Sequence, residues 1–280
     1  MTTPPAPMPP SAGGEPGESG PAVGGRSTLS AADVDTVRQR LAIAASRIDL
    51  CDLPDAGPVV IKRQRSPRGP WRARGMAALA RVTGLDLLRP VPMHGGARGE
   101  AIELARIGTL GRAGVRVPEV LHAEPGFFVM RRLVGANLAE RIEAGSDAGF
   151  AAWLRGLDTI ADVHQRGLCL SQAFARNLIE TPAGIACIDF EDDPLETLPL
   201  ETAQARDWLA YLHSTAWLLD APHGSARTAI DGALGREKSG VRERLLAAGH
   251  SLAVFQRLPA SRRPLGREVL GLGALARLLA

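Results

Sequence analysis

The sequence predicts an α+β fold of two lobes, a small sheet-containing N-lobe followed by a mainly helical C-lobe. Three observations lead there. Strand-like alternation of apolar and polar residues falls in short stretches before residue 135 and again near residue 185, whereas three-to-four spacing dominates after Leu138. The order is hairpin, helix, two strands and then mostly helices, which segregates the two kinds of element as α+β folds do. The 280 residues, 45% hydrophobic and 22% charged, suffice for one large domain or two modest lobes around a buried core.

Residues 1–28 are mostly Pro, Gly, Ser, Thr and Ala, too poor in large apolar groups to offset the entropy of ordering, and are expected to form a disordered tail. Ser30 then stands as N-cap to a short helix with acids first (Asp33, Asp35) and bases later (Arg38, Arg40), as the helix dipole favours. From Ser46 the period changes. Ile48, Leu50 and Leu53 alternate with polar neighbours, residues 54–57 form a turn cluster, and residues 58–63 make a second strand ending on Lys62. Residues 64–92 read as a loop with a helix around 76–82. Gly95 and Gly96 introduce a helix over 100–114, whose apolar positions Ile102, Leu104, Ala105, Ile107 and Leu110 include several at three-to-four spacing, stopped by Gly114-Val-Arg-Val-Pro118. Residues 120–123 and 127–134 read as antiparallel strands about a Glu-Pro-Gly turn. Helices follow at 138–142, 150–165 and 202–219, with β-like stretches at 168–170 and 185–189 between the last two, and a helical extension over 226–280. The organisation is therefore a tail (1–28), an N-lobe (29–135) and a C-lobe (136–280).

The net charge of +3 conceals an asymmetry: between Val59 and Arg98, nine bases face the single acid Asp86. Such a stretch suits nucleotide phosphates or an anionic membrane surface. Nucleic acid has little support, since aromatic residues are only 4% of the chain and none is interleaved as a stacking platform. Trp71, amid Arg68, Arg72 and Arg74, is expected in a solvated basic loop. Three well-separated cysteines, Cys51, Cys169 and Cys187, exclude a disulfide framework and a Cys-x-x-Cys zinc site. The last two lie in apolar runs and are expected as core thiols. The first residues show no basic-then-apolar leader, and the longest apolar stretch, 208–219, is shorter than the roughly 20 residues a membrane span needs. The expected location is the cytoplasm, with a peripheral position at the inner membrane surface as a variant of it.

Four positions carry the candidate chemistry: Lys62 at a strand end, Glu103 in the next helix, Asn177 after a short loop, and Asp189 closing an apolar stretch. A strand-borne Lys paired with a helix Glu, followed by an Asn and an Asp flanking a turn, can hold a nucleoside triphosphate and its metal. Lys62 would neutralise phosphate oxygens, Glu103 would orient Lys62, and the hard oxygens of Asn177 and Asp189 would take Mg²⁺. Glu100, one turn earlier, is the rival to Glu103. In order and spacing, Val59-Val-Ile-Lys62, Glu103 with Ala113-Gly-Val-Arg-Val-Pro118, Val163-His-Gln-Arg-Gly-Leu168, Asn177 and Ile188-Asp-Phe-Glu-Asp192 resemble the protein-kinase-like superfamily. The closest likeness is to compact bacterial members similar to the lipopolysaccharide (Kdo/heptose) kinases and to RIO/Bud32-type kinases, over roughly residues 48–219. The resemblance implies a two-lobed kinase-like fold binding ATP and Mg²⁺, and makes Asp207 similar to the helix aspartate that braces the catalytic loop. His164 is expected to hydrogen-bond backbone at its helix end.

Two departures stand against the matches. Five residues before Asn177, where such kinases carry the aspartate that accepts the substrate proton, this chain has Gln172, which cannot titrate. Residues 50–58 offer one glycine where a glycine-rich phosphate loop would lie. The expected function is thus an ATP–Mg²⁺-binding protein, an atypical or impaired phosphotransferase acting on a hydroxyl of a small molecule, a lipid-linked sugar or a protein. The alternatives are an inactive pseudokinase serving as an interaction or regulatory module, and a relic of the fold that binds no nucleotide.

Overall fold

The computed structural model describes residues 28–43, 46–65, 86–219, 223–257 and 267–279. Most of the expected tail, the helix expected at 76–82, Trp71, Arg68, Arg72, Arg74 and Arg81 lie outside the described residues. The chain is α+β, with a small antiparallel sheet early and a mostly helical remainder.

Helix α1 (Ala31–Ile43) starts where the cap signal falls: Ser30 Oγ accepts the Asp33 N–H at 3.2 Å. Asp33, 1% exposed, turns its carboxylate onto the N–H groups of Asp55 and Ala56, both at 3.0 Å, and so pins the helix to the first hairpin. That hairpin is β1 (Ile48–Leu53) and β2 (Gly57–Arg63), in register Ile48↔Lys62. The second strand runs one residue past Lys62. Helix α2 (Gly96–Arg112) begins directly after Gly95, four residues earlier than the apolar spacing suggests, and ends before Gly114, whose φ of +79° only glycine adopts without cost. Strands β3 (Val120–Glu124) and β4 (Phe127–Arg131) complete a four-stranded sheet of order β1-β2-β4-β3. Thr28, expected in the tail, hydrogen-bonds from its backbone to Leu121 of β3 at 2.9 Å and belongs to the ordered structure.

Period-two alternation gives this sheet two different faces. Cys51, Leu53, Val59, Ile61 and Val129 pack with Val37 of α1 into a small core. Cross-strand partners on the other face are Ile48, Lys62 and Phe128 in one row, and Leu50, Val60 and Met130 in the next. This second face turns toward the remainder of the chain, where Phe128 joins the large core.

A short strand β5 (Ala136–Asn137), not anticipated from sequence, pairs with β6 (Leu178–Thr181), which pairs with β7 (Gly184–Cys187). Helices α3 (Leu138–Glu143), α4 (Ser146–Gln165) and α5 (Leu200–Thr215) build the large core around Trp153, Trp208 and Tyr211. The extension consists of α6 (His223–Leu234), α7 (Ser239–Leu252) and α8 (Arg267–Leu279), with Leu275 and Ala276 of α8 fully buried against it.

The β-like stretch expected at 168–170 is not a strand. After Gly167 (φ +73°) ends α4, side chains satisfy the backbone there instead of a ladder: Gln204 donates to the Leu168 carbonyl, Arg106 to the Cys169 carbonyl, and the Leu170 N–H donates to Asp207. An apolar run alone cannot distinguish a paired strand from an extended segment held this way. Asp189 likewise lies two residues beyond β7 rather than at its end.

Candidate functional site

The sequence-predicted residues Lys62, Glu103 and Asp189 meet. Glu103 occupies the buried stripe of α2 together with Ile107 and Leu110, a place where an isolated carboxylate would be expensive. Its compensation is the Lys62 ammonium, with Nζ 2.5 Å from Glu103 Oε1, both side chains about 95% buried. The same ammonium lies 3.1 Å from Asp189 Oδ1 and 3.4 Å from Glu191 Oε1. Burial pulls the Lys62 ammonium down, but Glu103, Asp189 and Glu191 outweigh it and hold its pKa above the ordinary lysine value. Glu100 takes no part in this pairing, so the choice between the two helix acids falls to Glu103.

Glu191 also accepts hydrogen bonds from Arg47 and Arg65. Burial would raise its pKa, yet the Arg47 hydrogen bond and the charges of Lys62, Arg47 and Arg65 bring it down to about 2. The cluster gathers three basic groups, Arg47, Lys62 and Arg65, around three acidic ones, Glu103, Asp189 and Glu191. The roles of Arg47, Arg65 and Glu191 in it escape sequence reasoning: partners more than 120 residues apart leave no periodic signal. The basic run is also less available than its count implies. Lys62 and Arg65 are engaged here, and Arg98 pairs with Glu196 at 3.0 Å. No helix among the described residues is long and apolar enough to cross a membrane.

Asp189 has φ +70°, an unusual backbone for a residue with a side chain, and its side chain remains 31% exposed. The Ile188 N–H donates to the Asn177 carbonyl at 2.9 Å, which sets Asn177 beside the Asp189 segment. Asn177 Nδ2 donates to the Gln172 carbonyl at 3.0 Å, so its amide oxygen is the atom left for a further partner. An aspartate and an amide oxygen are hard donors, and together they suit a hard divalent cation such as Mg²⁺, which keeps most of its waters. No group of three or more His, Cys, Asp or Glu suited to a metal occurs among the described residues.

The loop that carries Gln172 is anchored from below. Asp207, fully buried on α5, accepts the Leu170 N–H at 2.5 Å. His164 departs from expectation: its ring bonds two carboxylates instead of backbone, Nδ1 with Glu237 at 2.7 Å and Nε2 with Asp207 at 3.3 Å. Burial lowers its pKa, but the hydrogen bonds to Asp207 and Glu237 and their charges leave it raised. Gln172 Nε2 faces Asp192 Oδ1 at 3.3 Å. The three thiols are free and buried, with burial pushing Cys169 and Cys187 up to about 12, so none is a ready nucleophile.

No protein-family model matches the chain, and no curated protein matches it significantly.

Proposed function

We propose that this chain is a kinase-like protein that binds ATP with Mg²⁺ between the four-stranded sheet and the segment 172–192, and transfers its γ-phosphoryl group to a hydroxyl. The observation that carries this reading is the convergence of Glu103 of α2 and Asp189, just beyond β7, on the buried ammonium of Lys62 near the end of β2. A structural ion pair needs two partners. A second carboxylate on the same ammonium, partly exposed and on a strained backbone, suits a group that releases Lys62 to phosphate oxygens and takes the cation itself. Mg²⁺, when bound by Asp189 and Asn177, supplies neutralisation of the phosphate charge. Glu103 keeps the lysine aimed.

Next to Lys62 on the same sheet face, Leu50 is 51% exposed, with Val60 and Met130 half-buried in the same cross-strand row. These apolar side chains supply a surface for a purine ring. The acceptor class remains a hydroxyl of a small molecule, lipid-linked sugar or protein.

A second reading, a nucleotide-binding interaction or regulatory module without turnover, is favoured by Gln172 in place of a titratable residue. Two measurements separate the readings. Ligand at about 100 times its Kd stabilises a protein by about 2.7 kcal/mol, so millimolar ATP with Mg²⁺ is expected to raise the melting temperature. An unchanged melting curve overturns nucleotide binding. Phosphate release from labelled ATP, compared between wild type and Asp189→Ala, then distinguishes turnover from binding alone.

A further inference from the structure

Resting on the nucleotide reading, we propose that Asp192 is the proton acceptor that position 172 lacks, its Oδ2 taking the proton of the attacking hydroxyl as the γ-phosphoryl group leaves ATP. In that step the acceptor O–H bond breaks and its oxygen bonds to the γ-phosphorus. The bond from the γ-phosphorus to the β–γ bridging oxygen breaks, and ADP departs with its electron pair. The proton rests on Asp192 until solvent removes it.

Geometry carries the assignment. Asp192 is 6% exposed, yet its Oδ1 accepts hydrogen bonds from Ser171 Oγ and from Gln172 Nε2, the residue and the side chain at the deficient position. Both bonds fall on Oδ1, which leaves Oδ2 outside them. Ser171 (φ +79°) and Asp189 (φ +70°) are the non-glycine residues in the left-handed region among the described residues, and Asp192 bridges their two segments. Backbone strain persists where surrounding structure enforces a particular placement. Here it aims Asp189 at Lys62 and Ser171 at Asp192. The other charges acting on Asp192 are Arg206 of α5 and Arg106 of α2; burial outweighs them and the two hydrogen bonds and raises its pKa.

The test uses the full chain, labelled ATP with Mg²⁺, and water as acceptor. Asp192→Asn keeps the shape and is expected to lower phosphate release by roughly 10²–10⁴-fold while the melting shift with ATP and Mg²⁺ persists. Adding Gln172→Asp to it returns a carboxylate to the loop and restores most of the rate. Release by Asp192→Asn equal to wild type overturns the proposal. So does a wild type that binds ATP and Mg²⁺ but releases no more phosphate than Asp189→Ala, an outcome in which nucleotide binding still stands. Absence of any melting shift removes the nucleotide reading and this proposal together. Should Asp192→Asn fail to fold, the wild-type pH–rate profile decides: an acid limb above the ordinary aspartate range supports the base, and a flat acid range overturns it.

Discussion

An ammonium as deeply buried as Lys62 persists because carboxylates surround it, and the cost of removing either side differs sharply. Lys62→Met leaves Glu103 buried without its charge, and removing one partner of a buried pair typically costs about 3–5 kcal/mol. Lys62→Met with Glu103→Leu removes both charges and is expected to recover most of that loss in urea unfolding, since well-packed apolar replacements of buried pairs are often neutral. On the proposed nucleotide reading, the melting shift with ATP and Mg²⁺ is expected to be lost in both. Recovery of stability together with the ATP shift would show that the ammonium does not bind the nucleotide. At this scale the sequence was informative where chemistry coincides with an element boundary. Lys62 closes a strand-like run, and Glu103 precedes a recognisable helix stop by about three turns. Glu191 was legible only as a residue near Asp189, because its pairing with Arg47 and Arg65 depends on how the sheet lies over segment 189–192, and charge pairing across that distance has no one-dimensional signature.

The elements are joined by side chains that reach between them, and this explains which predicted elements failed. Segment 168–170 has a strand's composition, but Gln204, Arg106 and Asp207 occupy its backbone groups from α5 and α2. Strand β5 has two residues, too few for alternation to register. The α4–α5 junction carries its own pH dependence. With a carboxylate on each ring nitrogen, His164 satisfies both only as the imidazolium, which donates twice. Its folded pKa lies above the ordinary value of 6.5, so the stability it contributes is complete below about pH 6.5 and is lost as pH rises through the folded value. His164→Gln is expected to destabilise the protein in that lower range by about 3 kcal/mol or more and to flatten the decline above it. Thermal melts of the two proteins across this range measure the difference. Parallel curves would mean that the ring is not the imidazolium and would overturn this assignment. The Trp208 indole, which also donates to Glu237 at 2.8 Å, holds that carboxylate in place in either case.

At the scale of the molecule, two hydrophobic cores meet across an ionic layer. The small one, around Val37, Val59, Ile61 and Val129, lies between α1 and the sheet, while the large one fills the helical part. Phe128 crosses from the sheet into the large core, and the cluster of Arg47, Lys62, Arg65, Glu103, Asp189 and Glu191 supplies the polar joint beside it. Phe128, with Val120, Ala123 and Met130 packed alongside it, supplies the apolar contact between the halves, and the joint adds charge pairing in which Glu191 has three cationic partners. Glu191→Gln is therefore expected to let the sheet half open at lower urea than the helical half. The cysteines report this directly, since Cys51 is buried in the small core and Cys187 in the large one. Pulse labelling of thiols across a urea series should give one midpoint for both in wild type and an earlier midpoint for Cys51 in the variant. Acid reaches the same end in the wild type: with its pKa lowered to about 2, Glu191 contributes stability that is full above about pH 4.5 and lost as pH falls toward 2. Cys51 should consequently become reactive before Cys187 during acid titration. Coincident labelling of the two thiols in both experiments would instead place the coupling of the halves in the apolar contact of Phe128, Val120, Ala123 and Met130 with the large core, independent of the ionic layer.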